Sequence, residues 1–512
     1  MNNINLQQAL AQVHQWLTTG QPKQAEQLLL QLLAQYSDNS VVLTHLIGFA
    51  LNKKQYAQAQ DYIDTLLIDP TTITDKQQFL HLIRMFIQHN RFKAGLRLSS
   101  NVAKALESDV EVLAARCHCA IDARALTEAQ MWLNTSSDLV NSNPYLMHTR
   151  ANIASMQGNF DQAISDFHTV LANEPGNSYA AARIAKCGRV SEQTLEALHN
   201  AEIQGGDDEA KARINLALGK AYADKGDYNK AWEYAEKGNQ YNRNVAKFDA
   251  QVFKQQVDHI IEVFTADRIK ATQSDNLQEH VFIVGMPRSG TTLAEQILSI
   301  VDNYYAGGET PALEYALGFT KEGGNYTQSL IDGTPIDWRA ACEAYEDYFS
   351  QFANFSGNLI VNKVPTNFFH VGLIKLMFPK AKIINMHRDP LDVAVSVFFE
   401  TFSQYFAYTN DLKDIFFVYD QYQRLMKHWT SLFEQDVLTV SYQSLVSDYQ
   451  TQVDNIGRFL GRKLPSADEI RGASNHVETP SLWQVRQPIN TNAVKKWKRY
   501  EKQLGEFVKQ YS

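Results

Sequence analysis

Between an apolar run ending at Val284 and a helical pattern beginning near Thr291, the chain reads Gly285-Met286-Pro287-Arg288-Ser289-Gly290-Thr291-Thr292. Glycine lets the backbone take up turns that other residues resist. A strand, a glycine-bounded loop and a helix in that order aim several backbone N–H groups and a helix N-terminus at one point. Such a concavity suits a phosphate or a sulfate. Arg288 brings a planar cation into the loop, able to grip a non-bridging oxygen of such a group. A plain glycine-rich turn does not account for Arg-Ser-Gly-Thr-Thr at a helix start. Arg288, Ser289, Gly290, Thr291 and Thr292 are therefore the candidate anion-binding residues.

The spacing also fits a P-loop, but Thr291 stands where that motif has the lysine that contacts the outer phosphates of a nucleoside triphosphate. The missing lysine points away from triphosphate hydrolysis. Other residues that could do chemistry lie further along. Glu309 follows two glycines in Ala306-Gly307-Gly308-Glu309-Thr310, and alone it reads as a loop carboxylate. Lys363 ends an apolar run in Asn362-Lys363-Val364-Pro365, and Tyr442 ends another. Arg388 and Ser396 are eight apart in one segment, with Asp389 and Pro390 suited to cap and begin a helix between them. Cys117-His118-Cys119 has the look of half a metal site, but no second Cys/His pair accompanies it. It reads as small buried thiols on a helix, and a metal is not expected.

These residues need elements to position them. Apolar runs at His280–Val284, Leu359–Asn362, Lys382–Met386 and Val437–Val440 alternate with helical stretches such as Asn367–Phe378 and Leu391–Phe402. That alternation predicts a mostly parallel sheet with helices on both faces, whose ligands gather at the C-terminal strand ends. The N-terminal half has a different period. Small residues recur after a hydrophobic anchor at Ala25, Ala59, Gly95, Ala129, Ala163 and Ala231, about 34 residues or twice that apart, with a degraded unit expected around Ala197. Local phrases such as GQPKQA, GNFDQA and GDYNKA repeat with them. This pattern resembles tetratricopeptide repeats and predicts an all-α solenoid, with a concave surface for a protein or peptide partner. The fold expected is thus multidomain: a helical repeat domain over 1–274 and an α/β parallel-sheet domain over 275–512.

Bulk properties bound the rest. Of 512 residues, 44% are hydrophobic and 20% charged, as in folded water-soluble proteins. A net charge of −8 argues against a dedicated nucleic-acid binder. Four scattered cysteines make no disulfide framework. Neither a signal peptide nor a membrane-spanning run is evident, so a cytoplasmic setting is the expectation.

The segment Val281–Leu293 resembles the 5′-phosphosulfate-binding loop of sulfotransferases, and its PRSGTT form is most similar to the tyrosylprotein branch. Repeats followed by such a domain resemble the bacterial tetratricopeptide-sulfotransferase proteins. The resemblance implies the donor 3′-phosphoadenosine 5′-phosphosulfate, with no metal required. It places Glu309 on the catalytic base, Lys363 beside the transferring group, and Arg388 with Ser396 on the 3′-phosphate. Tyr442 falls near the adenine or 3′ side. Where the tyrosylprotein members have a serine two before a C-terminal tryptophan, this chain has Lys495 before Trp497, so that contact is not carried over. The basic stretch from Trp483 to Tyr500 offers Arg486 and Lys496 to close over an anionic donor. The acceptor implied is a hydroxyl, on a peptide tyrosine, a carbohydrate or another molecule. The alternatives are a P-loop kinase or NTPase-like enzyme, and a repeat scaffold with an inactive domain.

Overall fold

The computed structural model describes residues 5–471 and 486–511, apart from Arg189, Glu322 and Asn358; Trp483 lies outside the described residues. Helices follow one another from Leu6 to Thr272, and the first strand begins at Val281. The six recurring small residues each occupy the fourth position of a helix: Pro22–Leu33, Tyr56–Leu66, Phe92–Ser100, Leu126–Thr135, Phe160–Asn173 and Tyr228–Val245. All six are buried. The reason is close approach. A Cβ on Gly95 would fall 2.5 Å from the Cys119 sulfur, so even an alanine there would force the seam apart. Around Ala197 the chain forms the helix Glu192–Gln204, whose buried residues are Thr194, Leu198 and Ala201. Burial pushes the thiols of Cys117 and Cys119 up to about 12, which suits the reading of inert core cysteines.

Two compact units make up the chain: 1–153 with 351–354, and 154–350 with 355–512. The first is held by a helical core that includes Leu43, Ile47, Phe79, Phe86 and Leu98. The second joins the later helices to a sheet, so compactness divides the chain well before 274/275. The physical reason is visible in the helix Tyr228–Val245. Its Trp232 stacks on Phe398 at 4.8 Å between ring centroids, and its Asn239 amide donates to the Phe398 carbonyl at 2.8 Å.

The sheet has five parallel strands, β1 (Val281–Gly285), β2 (Tyr304–Gly308), β3 (Leu359–Lys363), β4 (Lys382–His387) and β5 (Val437–Ser441), in the order β2-β3-β1-β4-β5. One face packs Ile283, Val361, Ile384, Met386 and Val440 against Ile297 of the helix Thr291–Ser299 and Ile456 of Tyr449–Leu460. β2 is absent from the four runs read in the sequence. Tyr-Tyr-Ala-Gly-Gly lacks aliphatics, and its pairing with β3 shifts register between Ala306 and Gly308. An edge strand that bulges at a glycine carries little pattern. No helix among the described residues is long and apolar enough to cross a membrane.

Candidate functional site

Each strand delivers one part of the site at its C-terminal end. β1 runs into the loop Met286–Gly290, β2 into Glu309, β4 into Arg388 and β5 into Tyr442, while Lys363 is the last residue of β3. β1 is central, and the chain passes to either side of it, which puts these ends at the switch point of an open parallel sheet.

The loop is tightly specified. Gly285 (φ 151°) lies against the Met386 carbonyl, 2.5 Å from where a Cβ would stand, and Gly290 (φ 101°) is packed just as closely against the Tyr442 ring. Arg288 adopts φ 68°, a left-handed conformation unusual for a side-chain-bearing residue and common where function requires it. Thr291 and Thr292 open the following helix and are buried. Gly290→Ala is therefore expected to lower stability by about 1–3 kcal/mol, through strain and overlap with Tyr442. A denaturant midpoint close to that of the parent would show that the loop yields.

Arg388 ties the pieces together. Its Nη1 donates to the Arg288 carbonyl at 2.8 Å and its Nη2 to the Ala493 carbonyl at 2.6 Å, while the guanidinium stands 4.8 Å from the Tyr442 ring centroid. Burial pulls its pKa below the ordinary arginine value, with Asp392 opposing. The Arg288 Nε donates to the Ser396 hydroxyl at 3.1 Å. Loop, strand end and helix Pro390–Phe398 thus meet, and the helix starts as expected, with Asp389 capping it and Pro390 first. Two buried polar atoms here, the Arg388 Nε and the Ser289 hydroxyl, have no hydrogen-bond partner among the described residues. Polar atoms this deeply placed are normally satisfied, and an oxyanion would satisfy both kinds of donor.

Glu309 and Lys363 form a second cluster. The Lys363 side chain is fully buried, and its ammonium lies 2.5 Å from Glu309 Oε1 and 3.8 Å from Glu295 Oε2. The Glu309 side chain is 39% exposed, so it covers the lysine and faces solvent. Glu295, from the helix after the loop, accepts the Gly308 N–H at 2.7 Å and thereby fixes the turn that presents Glu309. The sequence reading missed Glu295. Only its position on the first turns of that helix could have suggested it.

The C-terminal segment reaches this region through Asp392, whose carboxylate accepts the backbone N–H groups of Lys495 (2.8 Å) and Trp497 (3.1 Å). Burial pushes the Asp392 carboxyl above its usual range. Lys495 is exposed, with φ 58°. Lys496 lies between the two pinned amides. Burial pushes its ammonium down to about 8, a shift that Arg499, Lys220 and Arg288 reinforce and Asp224 opposes. Arg486 has other partners: it donates to the Met156 carbonyl at 2.5 Å and stands 5.8 Å from the Phe160 ring. His387 lies at the end of β4, where its Nε2 is 3.0 Å from the Tyr419 hydroxyl, which itself donates to the Arg388 carbonyl at 2.8 Å. Burial holds this imidazole below its usual pKa. No group of three or more His, Cys, Asp or Glu poised for a metal occurs among the described residues.

Residues 280–466 match the model of the sulfotransferase family. An uncharacterized protein of Aquifex aeolicus is 32% identical over 334 residues, 61% of this chain and 42% of that protein, so the chain spans less than half of this relative's length. A putative protein-tyrosine sulfotransferase of Caenorhabditis briggsae is 26% identical over 231 residues, 43% of this chain and 81% of the relative. Among solved structures, the sulfotransferase domain of the Synechococcus PCC 7002 olefin synthase aligns at 19% identity and a TM-score of 0.32, over 44% of this chain and 90% of that one. The strand-end residues from Gly285 to Tyr442 all fall inside the segment 280–466, and it is this segment that is similar to the sulfotransferase family.

Proposed function

We propose that the chain is a sulfotransferase that moves the sulfuryl group of 3′-phosphoadenosine 5′-phosphosulfate to an acceptor hydroxyl. The observation that supports this most is the junction of Arg288, Arg388 and Ser396 around a loop with unpartnered buried donors. Arg288, Ser289, Gly290, Thr291 and Thr292 hold the 5′-phosphosulfate through the helix N-terminus and the guanidinium. Arg388 and Ser396 take the 3′-phosphate, and Tyr442 props the loop and the arginine from beneath. The acceptor oxygen forms a bond to sulfur as the bond from sulfur to the bridging oxygen breaks. Glu309 accepts the acceptor's proton, and Lys363 stabilises the negative charge that collects on the bridging oxygen. Adenosine 3′,5′-bisphosphate leaves. No step requires a metal. A peptide tyrosine or a carbohydrate hydroxyl is the acceptor class in view, in a cytoplasmic setting. The N-terminal helices form a tetratricopeptide-like solenoid that offers a surface to a protein or peptide.

Thermal unfolding tests the donor. At a hundredfold excess over its Kd, adenosine 3′,5′-bisphosphate is expected to stabilise the protein by about 2.7 kcal/mol, and ATP with Mg²⁺ at equal concentration by much less. Equal or greater stabilisation by ATP would favour a kinase or NTPase-like enzyme instead.

A further inference from the structure

A left-handed residue in the C-terminal segment shapes a cradle for a buried carboxylate. Lys495 stands at φ 58° and ψ 27°, directly before the short helical turn Lys496–Tyr500. Side-chain-bearing residues hold this conformation only where their surroundings demand it. One left-handed residue followed by right-handed ones makes neighbouring N–H groups converge, and such a concavity takes an anion. The anion here is the carboxylate of Asp392, a residue only 1% exposed. Its Oδ2 accepts the Lys495 N–H at 2.8 Å and its Oδ1 the Trp497 N–H at 3.1 Å. Asp392 lies on the first turn of the helix Pro390–Phe398, four residues after Arg388, and its own N–H donates to the capping Asp389 at 3.1 Å. Two residues before Lys495, the Ala493 carbonyl accepts from Arg388 Nη2 at 2.6 Å. Strand end, helix start and C-terminal turn thus close into a ring through Arg388, Asp392 and residues 493–497.

We propose that Asp392 is a positioning residue for the 3′-phosphate: by holding the C-terminal turn it fixes the carbonyl that orients Arg388. The inference rests on the donor reading above, because it assigns Arg388 to that phosphate. The carbonyls of Arg288 and Ala493 tether the two terminal nitrogens of the guanidinium, and its buried Nε has no hydrogen-bond partner among the described residues. A guanidinium has five N–H donors in a rigid fork, so tethering two of them decides where the other three point. Without the Asp392 carboxylate, the amides of Lys495 and Trp497 lose their acceptor and the strained turn relaxes. The Ala493 carbonyl then leaves Arg388, and the ligand itself has to order the guanidinium, which weakens binding. Asp392 acts entirely through backbone groups, both of its oxygens being occupied by amides.

The test measures the affinities of adenosine 3′,5′-bisphosphate and adenosine 5′-phosphate by calorimetry, alongside the unfolding temperature, for the parent, D392N, K495P, R388A and R388A/D392N. The asparagine of D392N has one oxygen for two amides, and its NH₂ group faces an N–H. D392N is expected to bind the bisphosphate roughly tenfold more weakly, the worth of about one charge-assisted hydrogen bond. Its affinity for the 5′-phosphate should stay within about threefold of the parent. K495P keeps the Asp392 charge but removes one amide and forbids the left-handed turn, and it should show the same selective loss. In the R388A background, D392N should change bisphosphate binding by less than about threefold, because the residue it acts through is gone. A merely structural contact would lower the unfolding temperature and weaken both ligands alike, and that result overturns the proposal. So does a full further loss in R388A/D392N. If D392N fails to fold, K495P decides, and a parental preference for the bisphosphate in folded K495P overturns the proposal. The same preference in folded D392N overturns it while leaving the donor reading intact. A parent that binds the two ligands equally overturns both.

Discussion

Glu309→Gln is expected to leave affinity for adenosine 3′,5′-bisphosphate nearly unchanged and to cut turnover by roughly two to four powers of ten, the usual worth of a positioned base. The structure sharpens this expectation. Glu309 faces solvent on one side and the Lys363 ammonium on the other, at 2.5 Å. For the carboxylate to receive a proton, Lys363 must have another anion to attend to, and the charge developing on the bridging oxygen provides one. On the proposed mechanism, base and cation exchange partners during transfer rather than acting separately. Lys363→Ala should accordingly lose roughly two to three powers of ten in turnover as well, and the double variant should lose much less than the product of the two. Single-turnover rates with labelled donor measure all three. Parental turnover by Glu309→Gln would reduce Glu309 to a loop carboxylate, with His387 the next candidate for the base. Strictly multiplicative losses would refute the exchange.

Arg388→Ala is expected to weaken binding of the bisphosphate by roughly one to two powers of ten for each charge-assisted hydrogen bond it removes, at about 1.5–3 kcal/mol apiece. Because Arg388 also holds the Arg288 carbonyl, part of the weakening would come from a loosened loop. Comparing ligands separates the two effects. Adenosine 5′-phosphate lacks the 3′ group, so a penalty confined to the bisphosphate marks a direct phosphate contact. An equal penalty for both ligands marks loop support alone. Arg388→Lys retains charge but not the fork that spans two carbonyls, and should recover little of the affinity.

How legible this was in the sequence follows from the range of each interaction. The loop was readable because its demands are local: glycines at positive φ, a cation between them and a helix start directly after. The cap at Asp389 and Pro390 is local too. β2 was not readable, since an edge strand ending in two glycines has neither the apolar run nor the alternation that marks a strand. The pairing of Lys363 with Glu309 joins residues on neighbouring strands, and Asp392 holds amides about a hundred positions away. Such pairings follow from strand order, which composition does not encode. Arg486 illustrates the same limit in reverse. A basic stretch near the C-terminus suggested an anion clamp, yet this side chain is engaged by a helix carbonyl at Met156.

The hydrogen bond from Asn239 to the Phe398 carbonyl has a consequence for how such a chain can be rearranged. The helix bearing Ser396 ends on a carbonyl satisfied by a side chain some 160 positions earlier, beside an indole from the same earlier helix. A recombination that replaced the helical half wholesale at residue 274 would orphan that carbonyl and strip the indole from Phe398. The sheet-bearing half would then inherit a frayed helix whatever new helices were joined to it. Contacts of this kind tie the helix Tyr228–Val245 to the helix that bears Ser396. Substitutions at Trp232 or Asn239 are therefore answerable to Phe398.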